Sequence, residues 1–376
     1  MSSMSHPHYD LVVVGAGIVG LATAWTASQR GLRVAVVDRN AHATGASVRN
    51  FGFITVTGQR QGAHWLRARK TLEIWKQLAP QAGIQIVHQG LYVLAQRPEA
   101  ADVLEAFLHT EMGEGCRLFS SREVEQTWPM FQPGHALLYS PHECRVESRD
   151  AIKQLTLWLQ QACGIDFFWQ STVTGISLPQ VWTSRGELKA HHCVVCPGND
   201  FSTLFPEWID KAGVQQCTLQ MMRVVPRNPM PLPGAVMSDL SLVRYEGYAD
   251  LAEAAPLKAR LQQAQSGHLA HGVHLIVVQS ADGSLVVGDS HVYGAAEAPF
   301  ARTDIDALIL SELHRVLRLP DAEVQERWTG SYASAADVVY KVSPAPRVVL
   351  GMVTGGTGAS TSFAFAEELV DMALAG

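Results

Sequence analysis

The feature that most constrains the fold of this chain is a glycine pattern between two apolar runs near its beginning. Residues 11–14 form a short apolar run, and GAGIVG follows at 15–20. A helical pattern then extends over about 18–30, Gly31 ends it, and a second predicted strand occupies 33–37, apolar from Val34 onwards. Short, wholly apolar strands are typical of a parallel sheet covered on both faces. The order of strand, tight turn, helix and strand therefore predicts a Rossmann-like α/β unit.

The glycines of this turn have separate expected roles. Gly15 permits the turn, Gly17 lets a pyrophosphate approach the backbone, and Gly20 lets the helix pack on the strand. Backbone N–H groups at the start of the helix, including that of Ile18, face the phosphates. This geometry predicts a site for a dinucleotide.

An acidic residue completes the pattern. Asp38 ends the second strand 18 residues after Gly20, where an acid binds the ribose hydroxyls of an adenosine. The neighbouring Arg39 is either a solvated surface residue or a contact for a ribose phosphate.

The segment ASVRNFGFITVTGQ at 46–59 bears on which dinucleotide is bound. A nicotinamide-binding unit usually continues to a third strand, whereas this chain has a polar loop of small residues at 40–53. Phe51 and Gly52 are expected to lie along a flat flavin ring, with glycine allowing close approach of the backbone. The small residues expected to reach the pyrophosphate from the other side are Gly45, Ala46 and Ser47.

This loop resembles the D-amino acid oxidase, glycine oxidase and sarcosine oxidase family of FAD enzymes. Three later segments extend the resemblance: 144–176, 187–201 and 326–376, the last containing ERWTGSYAS and VTGGTGAS. The resemblance implies that backbone groups in these segments contact FAD. The residues concerned are Val173, Gly198, Gly330, Gly355, Gly356, Thr357 and Gly358.

The implied fold class is α/β, with a Rossmann-like FAD-binding domain of the glutathione reductase type. A second α+β domain, built on a mostly antiparallel sheet, is expected to bind the substrate. The FAD-binding domain is predicted to be discontinuous, comprising 1–85, 144–218 and 325–376, and the substrate domain to comprise 86–143 and 219–324.

Local patterns indicate several elements of these domains. Amphipathic helices are predicted over 149–162 and 307–319, and Ala281-Asp282-Gly283-Ser284 reads as the turn of a hairpin. The proline-rich segment 226–234 is predicted to be a loop between strands.

Composition excludes several classes of partner and site. The net charge is −6 and no basic stripe occurs, so we expect no nucleic-acid partner. No apolar run reaches 18 residues, which predicts no membrane span. The six cysteines are scattered, and Cys193 and Cys196 would point to opposite faces of one strand, so buried structural thiols are favoured over a metal site. Free thiols and the absence of a signal-peptide pattern favour a cytoplasmic protein.

The resemblance implies the chemistry. Family members transfer a hydride from the carbon beside an amine to the flavin, the imine hydrolyses, and oxygen or another acceptor reoxidises the flavin. No obligatory catalytic base is required by this scheme. The sarcosine oxidase branch holds its flavin through a cysteine aligned near 330–331, whereas this chain has no cysteine after Cys217, so non-covalent FAD is expected.

A small amine with an acidic group needs an anion clamp, and the planar fork of arginine suits carboxylate or phosphonate. Arg49 and Asn50 are the most suggestive pair because they adjoin the expected flavin contact at Gly52. Tyr293 is a further candidate for the pocket wall. The candidate substrate-binding residues are Arg49, Asn50, Arg223, Arg244, Tyr245, His291, Trp328 and Tyr332.

Short motifs such as LVRYEG and GDSH resemble a subfamily associated with breakdown of 2-aminoethylphosphonate. This implies oxidation of an aminophosphonate, or its N-methyl form, to phosphonoacetaldehyde. The alternatives are a D-amino acid, glycine or sarcosine oxidoreductase, an enzyme of the glycerol-3-phosphate type, an NAD-dependent dehydrogenase, and a flavoprotein that has lost turnover. The sequence leaves the oligomeric state open.

Overall fold

The fold combines a parallel sheet with a larger antiparallel one, as a computed structural model of the protein shows for residues 8–376. The strands are β1 His8–Val14, β2 Val34–Val37, β3 Phe53–Ile54, β4 Ile86–Ala95, β5 Arg117–Ser120, β6 Ala136–Val146, β7 Asp166–Phe168, β8 Val173–Ser177, β9 Gln180–Thr183, β10 Gly186–Val195, β11 Gln215–Pro226, β12 Ala235–Ser238, β13 Ile276–Gln279, β14 Leu285–Gly288, β15 Val292–Gly294, β16 Ala322–Ala345 and β17 Val348–Gly355.

Helices cover the parallel sheet and border the antiparallel one. They are α1 Ile18–Gln29, α2 Ala63–Gln81, α3 Pro98–Leu108, α4 Ser121–Thr127, α5 Ser148–Ala162, α6 Pro206–Lys211, α7 Glu246–Ala249, α8 Ala254–Ala264, α9 Ser266–Ala270, α10 Thr303–Val316 and α11 Gly358–Ala375. None of the helices in the part of the chain that the structure describes has the length and apolarity needed to cross a bilayer.

The parallel sheet has the order β7-β2-β1-β10-β17. Its central strands are buried on both faces, which explains the apolar runs at 11–14 and 34–37. Aromatic side chains hold the helices beside it together: the Phe363 ring in α11 makes edge-to-face contacts with Trp25 in α1 and Trp75 in α2, at centroid distances of 5.5 and 5.3 Å.

Strand β16 connects the two sheets. Its last part pairs antiparallel with β17, and its first part pairs antiparallel with β11. Strand β11 also pairs with β14 and β15, and the β13–β14 hairpin turns at 280–284, as the sequence predicts. The sheet continues through β12 to β4 and β6. The predicted fold class is confirmed, while the two-domain boundaries stay a prediction.

Gly52 occupies a different place from the one expected of it. A Cβ atom at this residue would lie 1.8 Å from the carbonyl oxygen of Val146, and the backbone has φ +67°. Its N–H donates to the Asn50 side chain at 2.6 Å, and its carbonyl accepts from the Val146 N–H at 2.9 Å. Gly52 is not among the residues that line the cavity described below. Close approach of β6, rather than of a flat ring, therefore explains this glycine.

The change Gly52→Ala tests this contact, with Gly31→Ala as a matched control. Gly31 also has positive φ, +76°, but an added Cβ there would meet nothing within 4 Å. We expect Gly31→Ala to lower the free energy of unfolding by about 1–2 kcal/mol, the cost of a left-handed alanine. Gly52→Ala should cost about 3 kcal/mol or more, because the backbone of β6 must also move. Urea unfolding measures both, and equal losses would contradict the packing role.

Candidate functional site

One elongated cavity runs from the glycine turn after β1, past the 44–51 loop, to the β17–α11 turn and a polar pocket beside β15 and β16. The residues predicted to contact the cofactor that line it are Gly15, Gly17, Ile18, Gly20, Asp38, Arg39, Gly45, Ala46, Ser47, Asn50, Phe51, Val173, Gly198, Gly330, Gly355, Gly356, Thr357 and Gly358. The predicted substrate-binding residues that line it are Arg49, Asn50, Arg244, Tyr245, His291 and Tyr332.

The first end of the cavity is formed by the turn between β1 and α1. A Cβ on Gly20 would lie 1.9 Å from the Gly15 carbonyl oxygen, and one on Gly15 would lie 2.3 Å from that of Cys196. These glycines therefore permit the close packing of turn, helix and strand. The backbone N–H of Ile18, at the start of α1, donates to the Ser47 hydroxyl at 2.9 Å. The 44–47 loop thus lies against the helix N-terminus, as the sequence predicts.

Asp38 lies at the end of β2 beside the same turn. Its two carboxylate oxygens accept hydrogen bonds from the backbone N–H groups of Ala16 and Asn40, both at 2.8 Å. These bonds fix the side chain at the cavity wall. Arg39 is paired with Asp200 at 2.8 Å, which accounts for its charge without a ribose phosphate.

The second glycine turn joins β17 to α11. Gly356 has φ +71°, and a Cβ there would lie 2.9 Å from the Tyr332 ring. Helix α11 begins at Gly358 without a side-chain cap, so its first N–H groups are available to a ligand in the cavity. The Thr55 N–H donates to Ser360 Oγ at 3.0 Å, which ties the segment after Gly52 to this helix. The two predicted cofactor-binding segments therefore meet.

The Arg49-Asn50 pair adjoins strand β16. The Arg49 carbonyl accepts from Trp328 Nε1 at 3.2 Å, and Arg49 Nη1 donates to the Thr329 carbonyl at 3.4 Å. The Asn50 amide donates to the Ala46 carbonyl at 2.7 Å and accepts from Gly52, so it shapes the loop. Trp328 is not among the lining residues. It contacts the Arg49 backbone outside the cavity, and the Arg149 guanidinium stacks on its ring.

Arg223 is placed away from the cavity, which corrects its expected role in substrate binding. It shares a face of β11 with the lining residue Met221, but two residues correspond to about 7 Å along a strand. There its Nη1 donates to Ser284 Oγ at 2.6 Å, and its Nε lies 3.7 Å from Glu326 Oε1. Buried Arg145 and Glu147 complete this ion network.

The polar pocket contains a partly buried cation and several hydroxyl groups. Arg244 Nη2 donates to the Tyr293 hydroxyl at 3.1 Å. Burial raises the pKa of Tyr332 and of Tyr245, so both phenols stay protonated. An Arg60–Glu246 pair, with Nε to Oε2 at 2.7 Å, also borders the cavity.

His274, Asp289 and His291 form a buried cluster in this pocket. His274 Nε2 lies 3.1 Å from Asp289 Oδ1, and His291 Nε2 lies 3.7 Å from Asp289 Oδ2. Burial alone would raise the pKa of Asp289, but the neighbouring His291, His274 and Arg244 bring it below its ordinary value. Burial lowers the pKa of His291 to about 3. The resting pocket therefore holds an ionised carboxylate between two neutral imidazoles.

Sequence reasoning did not select His274 and Asp289. The register of the β13–β14 hairpin, counted outwards from the turn at 281–284, would put Asp289 opposite Leu275. Instead, the backbones of His274 and Asp289 exchange hydrogen bonds at 3.3 and 3.0 Å, which requires a shift of register by one residue beyond Gly288. Local counting therefore does not find this pair.

A dinucleotide-binding turn and a buried polar pocket within one cavity define a dinucleotide-dependent oxidoreductase. The family model described as FAD dependent oxidoreductase matches residues 10–372, and the chain belongs to this family. The cofactor of the family is FAD.

Relatives and solved structures agree with this assignment. N-methyl-L-tryptophan oxidase of Yersinia pestis is 28% identical over 212 residues, covering 53% of this chain and 56% of the relative, so the chain spans about half the length of the relatives it matches. Glycine oxidase from Bacillus cereus has a similar fold, with a TM-score of 0.78 at 17% identity over 98% of this chain and 95% of the other. L-α-glycerophosphate oxidase from Mycoplasma pneumoniae, with FAD bound, also has a similar fold. Its TM-score is 0.75 at 18% identity, over 98% of this chain and 95% of the other.

The residues present fit FAD. At one end of the cavity, glycines without side chains lie at the N-terminus of α1. The cavity then passes the Asp38 carboxylate, which is held by backbone hydrogen bonds, and reaches the N-terminus of α11, which has no side-chain cap. These are groups that suit a ribose, a pyrophosphate and an electron-rich ring respectively.

Proposed function

We propose that the protein oxidises the C–N bond of a small amine that carries an acidic group, using non-covalently held FAD. When bound, FAD supplies the two-electron acceptor for a hydride from the carbon beside the amine. The imine then hydrolyses to an aldehyde or keto acid. The observation that carries this proposal is the joining of both glycine turns to a pocket that contains Arg244, Asp289 and His291.

The electrostatics of the pocket support an amine with an acidic group. The Arg244 guanidinium favours the ionised form of the Asp289 carboxylate, and the carboxylate favours the charged guanidinium in turn. A cation that binds the acid and a carboxylate near the amine would orient the substrate by both of its ends. Such two-point binding places the carbon beside the amine reproducibly.

The cysteines support non-covalent binding and a reducing compartment. All six are free thiols, and Cys217 is the last along the chain. Burial raises the pKa of Cys217 to about 11 and that of Cys196 to about 12, so neither is a ready nucleophile. A cytoplasmic protein that holds FAD without a thioether is consistent with these properties.

We further propose that the substrate is an aminophosphonate such as 2-aminoethylphosphonate or its N-methyl form. Arg244 and Arg49 both border the cavity, and two cations suit a dianion better than one. The second candidate is an amino acid such as glycine, sarcosine or a D-amino acid. The position of Arg223 outside the cavity favours this candidate, because a single arginine in the pocket is sufficient for a carboxylate. A glycerol-3-phosphate-type substrate shares only the need for an anion clamp.

An anaerobic reduction screen tests the proposed substrate. The oxidised protein is mixed separately with 2-aminoethylphosphonate, its N-methyl form, glycine, sarcosine, D-alanine and glycerol-3-phosphate, and loss of flavin absorbance is followed. We expect an aminophosphonate to reduce the protein at least about tenfold faster than the others, a difference of about 1.4 kcal/mol in activation free energy. Reduction by carboxylates alone would reject the phosphonate. Reduction by glycerol-3-phosphate alone would reject amine oxidation.

Replacement of the pocket cation Arg244 tests the anion clamp. Arg244→Ala should raise the dissociation constant of the substrate about 100-fold, because the acid loses a charge-assisted contact. FAD affinity should change by less than about twofold. Arg185→Ala is the matched control, since Arg185 is exposed on the β9–β10 turn and bonds to Gln170. Spectral titration measures both affinities. An unchanged substrate affinity in Arg244→Ala would remove this residue from the clamp.

A further inference from the structure

The buried cluster of His274, Asp289 and His291 has a hydrogen-bonding pattern that assigns different roles to its two imidazoles. His291 Nδ1 lies 2.9 Å from the Gly272 carbonyl oxygen. A carbonyl oxygen only accepts hydrogen bonds, so Nδ1 carries the proton. In the neutral imidazole, Nε2 therefore holds a lone pair and no hydrogen.

His291 Nε2 lies near a negative group. Its distance from Asp289 Oδ2 is 3.7 Å, which exceeds hydrogen-bonding distance. The carboxylate favours the protonated imidazole, although burial outweighs it and holds the pKa of His291 at about 3 without a ligand. His291 borders the cavity, so a proton can come from a ligand there.

The second imidazole holds the carboxylate in place. His274 Nε2 is 3.1 Å from Asp289 Oδ1, while its Nδ1 is 3.3 Å from Ser241 Oγ. The His274 and His291 rings are stacked, with centroids 5.3 Å apart and planes at 21°. All three side chains of the cluster have less than a tenth of their surface exposed. A turn of the carboxylate away from His291 would therefore also move it away from His274 Nε2.

The remaining polar groups around His291 do not compete for the proton. They are the Arg244 guanidinium and the phenols of Tyr245, Tyr293 and Tyr332. An arginine is always protonated, and burial keeps Tyr245 and Tyr332 protonated as well. Burial is the largest factor that opposes a positive charge on His291, and Arg244 adds to it until the acidic group of a substrate neutralises the guanidinium.

We propose that His291 Nε2 is the catalytic base that takes the proton from the substrate ammonium, that Asp289 stabilises the resulting imidazolium, and that His274 is a positioning residue for Asp289. This proposal rests on the proposed amine oxidation. One N–H bond of the ammonium breaks and one N–H bond forms on His291, which leaves a neutral amine with its nitrogen lone pair. Only this form can release a hydride from the adjacent carbon. The anionic end of the substrate, bound by Arg244, offsets the new positive charge.

The test is the pH dependence of anaerobic flavin reduction at saturating amine. In the wild type we expect a rate that is nearly constant from about pH 7 to 9, since the enzyme itself removes the proton. In His291→Asn the rate at pH 7 should fall about 100-fold or more and rise about tenfold per pH unit as free amine becomes available. Asp289→Asn should show the same slope. A fall that is equal at every pH would overturn the proposal, because it would indicate a structural role only.

Further variants distinguish a positioning role of His274 from general damage to the fold. His274→Leu should show the pH-dependent loss, and His274→Gln should recover at least half of the wild-type rate, since its amide can still donate to Asp289. His268→Asn is the matched control: His268 is also largely buried, bonds to Ser311 and is not among the cavity residues, so we expect a wild-type profile. Equal loss in both His274 variants would refute the positioning role.

Two measurements distinguish this proposal from its rivals. An analogue that has the acid but no amine should bind His291→Asn and the wild type with equal affinity in a spectral titration. Unequal affinity would make His291 a part of the anion site and overturn the proposal. Loss of wild-type reduction after dialysis against a chelator would also overturn it, in favour of a metal ion within the cluster. If no amine reduces even the wild type, it is the proposed function that fails.

Discussion

The packing of α11 between α1 and α2 is the contact on which the rest of the site depends. Phe363 lies edge-on to Trp25 and Trp75, and Trp75 Nε1 donates to the Ala359 carbonyl at 2.9 Å near the start of α11. This packing brings segments about 340 residues apart in the sequence to one cavity, with two helix N-termini directed at it. Because helix N-termini attract negative charge, the chain provides for a pyrophosphate at one place and for an electron-rich ring at another.

The opposite wall of the cavity has a balanced set of charges. The buried Asp289 carboxylate is stabilised in its charged form by Arg244, and Arg60 is paired with Glu246 at the edge of the cavity. Burial of an unpaired charge is costly. A ligand whose charges do not complement those of the pocket would therefore bind weakly. The proposed selection of a substrate with both an amine and an acid rests on this balance rather than on the shape of the cavity alone.

Patterns within a few residues of each other predicted much of the fold. The β1–α1–β2 unit, helix α5 and the hairpin at 281–284 are confirmed nearly to the residue, because each is determined by local periodicity, glycines and turn residues. Helix α2 was not predicted, although it completes the packing around Phe363. Its apolar residues face α11, a partner almost 300 residues later, and no local signal indicates that partner.

The candidate site was predicted less completely, for the same reason. The glycine turns and the 44–51 loop line the cavity, since nucleotide-binding backbone has a sequence signature. Side chains have no such signature: Arg223 and Arg244 are equivalent as residue types, yet one enters an ion network and the other the pocket. The contact of Gly52 with β6 was not predicted, because β6 approaches it from more than 90 residues away, and its contact with a flavin stays a prediction.

The most direct test of the account is the flavin content of the purified protein after acid precipitation. Convergence of two glycine turns on one non-covalently held cofactor predicts a yellow protein that releases one FAD per chain into the supernatant. A colourless protein that does not take up added FAD would contradict the central claim. Flavin that remains attached to the precipitate would contradict the non-covalent binding.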